Sequence, residues 1–224
     1  MKRVKVSNNV IRRLPRYLRK LDELTESGVS RVSSFELGHQ LGLTPSQIRQ
    51  DFSCFGEFGQ QGYGYNVPAL RAEIAAILGM DRGFNAVMIG VGNIGRALTE
   101  NFSFEQYGYN LKAAFDVNPD VIGSRIHSVP VYDFSKLEET LTAIQPDVAV
   151  LCVPKTMANE VAKEVCACGV HSIWNFTNTE LQLEDSDVIV ENIHFSDSLL
   201  ALGYYLSESL DEAEAKAARA RKDV

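Results

Sequence analysis

Cysteine, histidine and tryptophan are all scarce in this chain: four Cys, four His and one Trp among 224 residues. Cys54, Cys152, Cys166 and Cys168 fit no disulfide framework, and Cys166-Ala167-Cys168 has neither the usual metal spacing nor a second ligand pair nearby. His39, His127 and His171 show no ligand spacing, so no metal site is expected. No run approaches the ~20 apolar residues that a membrane span needs. The start, Met1-Lys2-Arg3-Val4-Lys5, lacks the apolar segment of a secretory signal. The expectation is a cytoplasmic protein with no membrane partner. A hydrophobic fraction of 45% is ample for packed cores, and 224 residues suggest one or two domains.

A net charge of −7 argues against nucleic acid until it is divided by position. Residues 1–80 carry 11 Lys and Arg against 7 Asp and Glu, a balance of +4, and residues 81–224 carry 11 against 22, a balance of −11. Lys2, Arg3, Lys5, Arg12, Arg13, Arg16, Arg19 and Lys20 all precede the first acid, Asp22. That arm and first helix could neutralise phosphates, or simply form a solvated helix face.

Leu14, Tyr17, Leu18, Leu21 and Leu24 fall at helical spacing, which predicts a helix from about Asn8 to Glu26, ended by Ser27-Gly28. Ser33-Ser34 caps a short second helix that stops at Gly42, and Thr44-Pro45-Ser46-Gln47 opens a third with a capping residue and a proline at its first position. This pair reads as a helix-turn-helix, whose second member typically enters the major groove. With Ile48 and Phe52 facing inward, Ser46, Gln47, Arg49, Gln50 and Ser53 are left to touch phosphates or base edges. The segment from Phe55 to Tyr65 has four glycines and interleaved aromatics, which suits a β-wing with Gln60 and Gln61 at its tip. A helix through Leu70, Ile74, Ile77 and Leu78 follows, and Gly79–Gly83 is the expected linker. Many such helix pairs are purely structural, so DNA binding is an expectation that the residues alone leave open.

Val87-Met88-Ile89-Gly90-Val91-Gly92-Asn93-Ile94-Gly95 joins an apolar strand directly to a helix through glycines. In a dinucleotide turn the first glycine permits the bend, the second lets backbone approach a pyrophosphate, and the third lets the helix pack on the strand. The helix then presents free N–H groups to an anion. Alone the pattern is weak; context strengthens it. Asn85–Ile89 reads as a strand, Ile94–Asn101 as a helix, and Leu111–Phe115 as a second strand ending in Asp116, 21 residues past Gly95. A carboxylate there can accept both hydroxyls of an adenosine ribose. NAD is favoured over NADP, because Asp116 would repel a 2′-phosphate and no arginine follows within Val117–Asp120. The alternative is that Asp116 only caps a turn with Asn118-Pro119. Further strands are expected at Val129–Tyr132, Val148–Val153, Ser172–Trp174 and Asp187–Glu191, with a capping box at Ser135–Glu138 opening a helix. Val153 and Pro154 would touch the cofactor at the carboxyl edge of the sheet, and Cys152 is expected to pack rather than react. Leu199, Leu200, Leu202, Tyr205, Leu206 and Leu210 make an apolar helix that calls for a partner, while the tail from Asp211 should fray.

These residues together resemble the Rex redox-sensing transcriptional repressors of bacteria. The likeness rests on Arg13-Leu14-Pro15-Arg16-Tyr17-Leu18-Arg19, Arg31-Val32-Ser33-Ser34, Gln47-Ile48-Arg49, Phe55-Gly56-Glu57-Phe58-Gly59, Gly62-Tyr63-Gly64-Tyr65, Gly92-Asn93-Ile94-Gly95-Arg96-Ala97, Val153-Pro154 and Asn175-Phe176. The resemblance implies an α/β homodimer. Its parts would be an amino-terminal winged helix-turn-helix over 1–80, a Rossmann-type parallel sheet domain over 84–195, and a swapped carboxy-terminal helix over 196–224. It implies an operator held in the NAD⁺ or cofactor-free state and released by NADH, with no catalysis. On this chain the DNA contacts would come from Arg12, Arg13, Ser46, Gln47, Arg49, Gln50, Gln60 and Gln61. The cofactor contacts would come from Gly90, Gly92, Asn93, Ile94, Gly95, Asp116, Val153, Pro154, Asn175 and Phe195.

Departures from the family pattern concern the same functions. Gln50 stands where lysine is usual, and Gln61 where the wing usually has arginine, which would lower the salt dependence of DNA binding. Asn101 replaces a common tyrosine, and His194 replaces a common aspartate before phenylalanine. A pairing between that aspartate and the arginine matching Arg19 cannot form, so Arg19, Asn101 and His194 are the candidates for an altered switch. A neutral, hydrogen-bonded histidine is the plainer reading of His194. Two rivals share the glycine turn. An NAD-dependent oxidoreductase would need a substrate domain and a placed acid or base, and only about 30 residues follow the last strand. A module for coenzyme A or another adenine nucleotide would have to accommodate Asp116.

Overall fold

The computed structural model describes residues 6–56, 58–60, 63–183 and 187–220, and only the backbone of residues 60 and 215–220. The chain divides into two compact units, Met1–Gly83 with Gln106–Gly108, and Phe84–Glu105 with Tyr109–Val224.

The first unit opens with α1 (Asn8–Glu26), capped by the Ser7 hydroxyl, which accepts from the Val10 N–H. Its buried stripe is Val10, Leu14, Tyr17, Leu18 and Leu21, which is what the helical spacing predicts. Pro15 lies inside the helix on its exposed side; the missing N–H is tolerated because packing of the opposite face holds the helix. After β1 (Arg31–Val32), α2 (Ser34–Leu41) begins with a complete capping box, Ser33 and Glu36 each accepting from the other's backbone N–H. It ends at Gly42 in the left-handed region, with φ of 68°. The next helix, α3 (Pro45–Ser53), is capped by the Thr44 hydroxyl. Two short strands follow, β2 (Gly59–Gln60) and β3 (Gly64–Asn66), which with β1 form an antiparallel sheet in the order β1-β3-β2. Finally α4 (Val67–Ile77), capped by Asn66, packs on α1. Tyr17, Phe52 and Tyr65 meet edge to face in the centre of this core, with ring centroids 5.0 and 5.2 Å apart. Strand β1 was not expected: two residues are too few to show alternation, and only its pairing with β3 makes it a strand.

The second unit is a seven-stranded sheet: β4 (Phe84–Ile89), β5 (Tyr109–Asp116), β6 (Arg125–Ile126), β7 (Val129–Asp133), β8 (Val148–Leu151), β9 (Ser172–Asn175) and β10 (Ile189–Asn192). The order is β10-β9-β8-β4-β5-β7-β6, parallel except for the short antiparallel β6. The chain starts in the middle, runs outward one way through β5 and β7, then crosses to β8 and runs outward the other way. This is the doubly wound arrangement, with its switch point between β4 and β8. Alternation along the strands separates two cores. Val87, Ile89, Phe115 and Leu151 face α6 (Leu137–Ile144) and α7 (Ala158–Ala167). Met88, Ala114 and Val150 face the other way, beside Phe104, Trp174 and Phe176. The helix α5 (Asn93–Asn101) follows β4 directly.

Four expectations change. The capping box at Ser135 does not open a helix; a 3₁₀ turn over Phe134–Lys136 intervenes and α6 starts at Leu137 with no side-chain cap. Asp133 takes the capping role instead, accepting the Ser135 N–H at 2.8 Å, and that bond holds its carboxyl below its usual range. Strand β8 stops at Leu151, which leaves Cys152, Val153 and Pro154 as a loop, and β10 lies slightly later than expected. The last helix, α8 (Phe195–Ala220), continues without a break through Asp211. Alanine, glutamate and lysine propagate a helix already nucleated upstream, so among the described residues the helix reaches Ala220 where fraying was expected from Asp211. The apolar side chains of α8 from Leu199 to Leu210, including Leu200, Leu202, Tyr205 and Leu206, are 57–71% exposed.

A Cβ built on Gly95 would lie 2.0 Å from the Gly90 carbonyl oxygen. The change Gly95→Ala should therefore force α5 off the end of β4 and destabilise the chain by about 3 kcal/mol or more. A fall in the denaturant midpoint of this variant checks it.

Candidate functional site

Strand β4 delivers its chain to a turn that side chains would block. Gly90 has φ of 90°, and a Cβ there would sit 2.8 Å from the Cys152 oxygen. Gly90 and Gly95 are thus required by packing, whereas a Cβ on Gly92 would meet nothing within 4 Å. The open side at Gly92 is where another molecule can approach. Gly92 is also the N-cap of α5 and offers no side chain to cap it. The first N–H groups of that helix consequently face the opening with the positive end of the helix dipole behind them, which fits a phosphate or pyrophosphate.

Beside this turn, Asp116 ends β5. One carboxylate oxygen accepts the Val91 N–H at 2.7 Å and the other accepts the Asn118 N–H at 2.8 Å. The turn-capping bond to Asn118 is therefore present, together with a second bond that the alternative reading did not include. Each oxygen keeps a lone pair for a further donor, so two hydroxyls on neighbouring carbons can still be received. A cavity of about 760 Å³ opens here, large enough for a cofactor. Its wall includes Asp116 and Val117, the Cys152-Val153-Pro154 loop, Phe134, and Met157 and Glu160 at the head of α7.

Of the residues predicted to bind cofactor, Gly90, Gly92, Asn93, Ile94, Asp116, Val153 and Pro154 line this cavity. Gly95 lies behind it as a packing contact. Asn175 and Phe195 are placed elsewhere. Asn175 is 1% exposed and holds the following turn, accepting from the Thr177 N–H and hydroxyl and donating to Thr179 O and Asn192 Oδ1. Phe195 stands at the start of α8, its ring 6.3 Å from that of Phe176. The apolar wall of Val117, Phe134 and Met157 was missed, because nothing in their spacing marks residues that converge only through the sheet. Burial pushes the Cys152 thiol up to about 12, which keeps it protonated and unreactive near neutral pH.

Two of the switch candidates, Asn101 and His194, are held by hydrogen bonds. Asn101 donates to Ala97 O at the end of α5. The His194 ring lies between Asn178 Oδ1 at 3.2 Å and Glu180 Oε1 at 3.1 Å. Glu180 also accepts from Asn192, which carries the network back to Asn175. Sequence reasoning did not find Glu180; no periodicity points to it. Arg19 is exposed on α1.

On the winged unit, Ser46, Arg49, Gln50 and Ser53 are exposed on α3 and Gln47 is half-buried, while Ile48, Asp51 and Phe52 turn inward. The Arg49 guanidinium is held at this surface by Ser34 Oγ at 3.0 Å and Ser46 Oγ at 3.1 Å. Arg12 and Arg16 are exposed on α1, and Arg16 donates to Leu41 O. Arg13 departs from the expectation of a solvent-facing cation: it makes a forked pair with Asp51 and its side chain is 19% exposed. In the wing, Gln60 ends β2, while its side chain and the whole of Gln61 lie outside the described residues, as do Lys2, Arg3 and Lys5 of the basic arm. Arg31, which sequence reasoning passed over as a contact, donates to Tyr63 O at 2.9 Å with its guanidinium 6.0 Å from the Tyr63 ring centroid.

Comparison with known proteins agrees with both units. A family model described as "CoA binding domain" matches residues 81–179, and one described as "Putative DNA-binding protein N-terminus" matches residues 5–53. The redox-sensing transcriptional repressor Rex of Clostridium beijerinckii is 49% identical over 204 residues, covering 91% of this chain and 96% of the relative. The crystal structure of RSP in complex with beta-NAD+ and operator DNA is 45% identical, with a TM-score of 0.86 over 96% of this chain and 98% of that one. The structure of RSP with beta-NADH is 42% identical, with a TM-score of 0.87 over 94% and 99% of the two chains. Identity at this level along nearly the whole length, with an α/β architecture shared throughout, assigns the chain to the Rex family of redox-sensing transcriptional repressors.

Proposed function

We propose that this chain is an NAD(H)-responsive repressor that binds an inverted-repeat operator as a homodimer and is released by NADH. One observation carries the reading. A helix-turn-helix with a wing and a dinucleotide cradle with an acid at the end of its second strand occur in a single chain of the Rex family. Residues 1–80 form the DNA-binding domain, 84–195 the NAD(H)-binding domain, and 196–224 the dimerisation helix and tail. The exposed apolar face of α8 suits burial against a second copy. The protein works in the cytoplasm, where its operator and cofactor are found together.

Gly90, Gly92 and Gly95 let backbone close on the pyrophosphate, with Asn93 and Ile94 supplying N–H donors, and Asp116 accepts from the adenosine ribose. Val153 and Pro154 border the cofactor at the switch point, while Asn175 supports the turn that leads toward Phe195. Phe195 packs near the nicotinamide of the partner. On DNA, Arg12 positions the unit through phosphate, and Ser46, Gln47, Arg49, Gln50, Gln60 and Gln61 face the grooves. The coenzyme A reading suggested by one family model is disfavoured by charge, because a 3′-phosphate on the ribose would meet the Asp116 carboxylate. The cofactor is an effector and is not consumed.

Affinity for operator should be high without cofactor and with NAD⁺ and fall with NADH, when each is measured at one fixed salt concentration. Equal affinity in all three states would remove redox control, and loss of duplex binding in every state would remove the repressor reading altogether. Asp116→Asn should weaken NADH binding by about tenfold or more in calorimetry, the worth of one charged hydrogen bond, and narrow the gap between NADH and NADPH. Arg19, Asn101 and His194 set how strongly NADH acts. The double change Asn101→Tyr with His194→Asp should enlarge NADH-driven release, read as the ratio of operator affinities with and without NADH.

A further inference from the structure

We infer that Arg13 and Tyr17 are positioning residues for the reading helix α3, acting through Asp51, and that Arg13 does not itself bind a DNA phosphate. The inference rests on the repressor reading above. Asp51 lies in the last turn of α3 and is 2% exposed. Burial and the negative end of the helix dipole both oppose a carboxylate there, and α3 has no basic residue in its last turn to offset them. The balancing charge comes from α1. Arg13 Nε donates to one Asp51 oxygen at 2.6 Å and an Arg13 terminal nitrogen to the other at 2.7 Å. The Tyr17 hydroxyl adds a third donation at 2.5 Å.

Three donors on one carboxylate leave it little freedom to turn. The forked guanidinium fixes the plane of the carboxylate as well as its distance, which lysine could not do. The contact with Asp51 pushes the Arg13 guanidinium further above its usual value, and burial followed by the Asp51 contact does the same for Tyr17. Arg13 therefore stays charged and the Tyr17 hydroxyl keeps its proton near neutral pH. Stability alone does not account for it, since a buried ion pair gains little over well-packed apolar residues of the same size. What it does supply is orientation. Held at position 51, α3 cannot rotate about its own axis, and that rotation decides where Ser46, Gln47, Arg49 and Gln50 point. With its charge matched by Asp51 and its side chain mostly covered, Arg13 has little attraction left for a phosphate.

The test uses the full-length chain and an inverted-repeat duplex selected from a random library by the unaltered protein. Three proteins are compared over a salt series: the unaltered chain, the triple variant Arg13→Met, Tyr17→Phe and Asp51→Leu, which leaves no buried donor without an acceptor, and Arg13→Lys. The apolar triple variant should keep the melting temperature and NADH affinity of the unaltered chain while losing at least tenfold in duplex affinity at every salt concentration. Its salt slope should stay parallel. Arg13→Lys keeps the charge and loses the fork, and should also bind several-fold more weakly. Unchanged duplex affinity in either variant overturns the inference. So does a slope shallower by about two units for the dimer's two copies, which would make Arg13 a phosphate contact. Failure of the unaltered chain to select any duplex is a separate result: it overturns the repressor reading, and this inference with it.

Discussion

The nucleotide-binding unit depends on one approach of backbone to backbone. Where α5 leaves the end of β4, the Gly95 α-carbon comes so near the Gly90 carbonyl that the two chains exclude any side chain between them. That approach carries the start of α5 to the switch point of the sheet, beside the loop that follows β8. The uncapped N–H groups at Gly92 and the carboxylate at the end of β5 then face one cavity. Had the helix stood a side chain's width further off, the donors and the acid would no longer converge on one ligand.

Asp116 lines the cavity and is at the same time a structural residue. Its two backbone bonds, to Val91 and Asn118, tie the glycine turn to the turn after β5. The same bonds fix the carboxylate rotamer, so the lone pairs that remain are held in one direction at the cavity wall. Preorganisation of this kind lowers the ordering cost of binding. The winged unit uses a comparable device at Asp51, where a carboxylate buried for structural reasons sets the presentation of a neighbouring surface.

Charge is distributed in keeping with this division of roles. The positive balance of residues 1–80 is carried largely by α1 and the arm before it, and the negative balance of the rest keeps the sensing unit from competing for the same polyanion. The family's acid before phenylalanine is His194 here, and a carboxylate from Glu180 lies against that histidine. The region around the start of α8 thus holds a carboxylate in this chain too, on a different element and in a hydrogen-bond network that runs to Asn175.

Periodicity and punctuation were enough to locate most elements. The stripe of α1, the caps at Ser33 and Thr44, the run into Gly90 and the acid at position 116 are local features, and local physics decides them. The sequence therefore determined that a helix-turn-helix precedes a dinucleotide turn, and in which order the strands follow. It did not determine which residues meet across the fold. Arg13 looks like a surface cation beside its helical neighbours, and only the packing of α1 on α3 brings Asp51 to it. Val117, Phe134 and Met157 share a wall, and Glu180 reaches His194, for the same reason: such contacts join segments far apart in the chain, and the energy that selects them is that of the packed core rather than of any local run of residues.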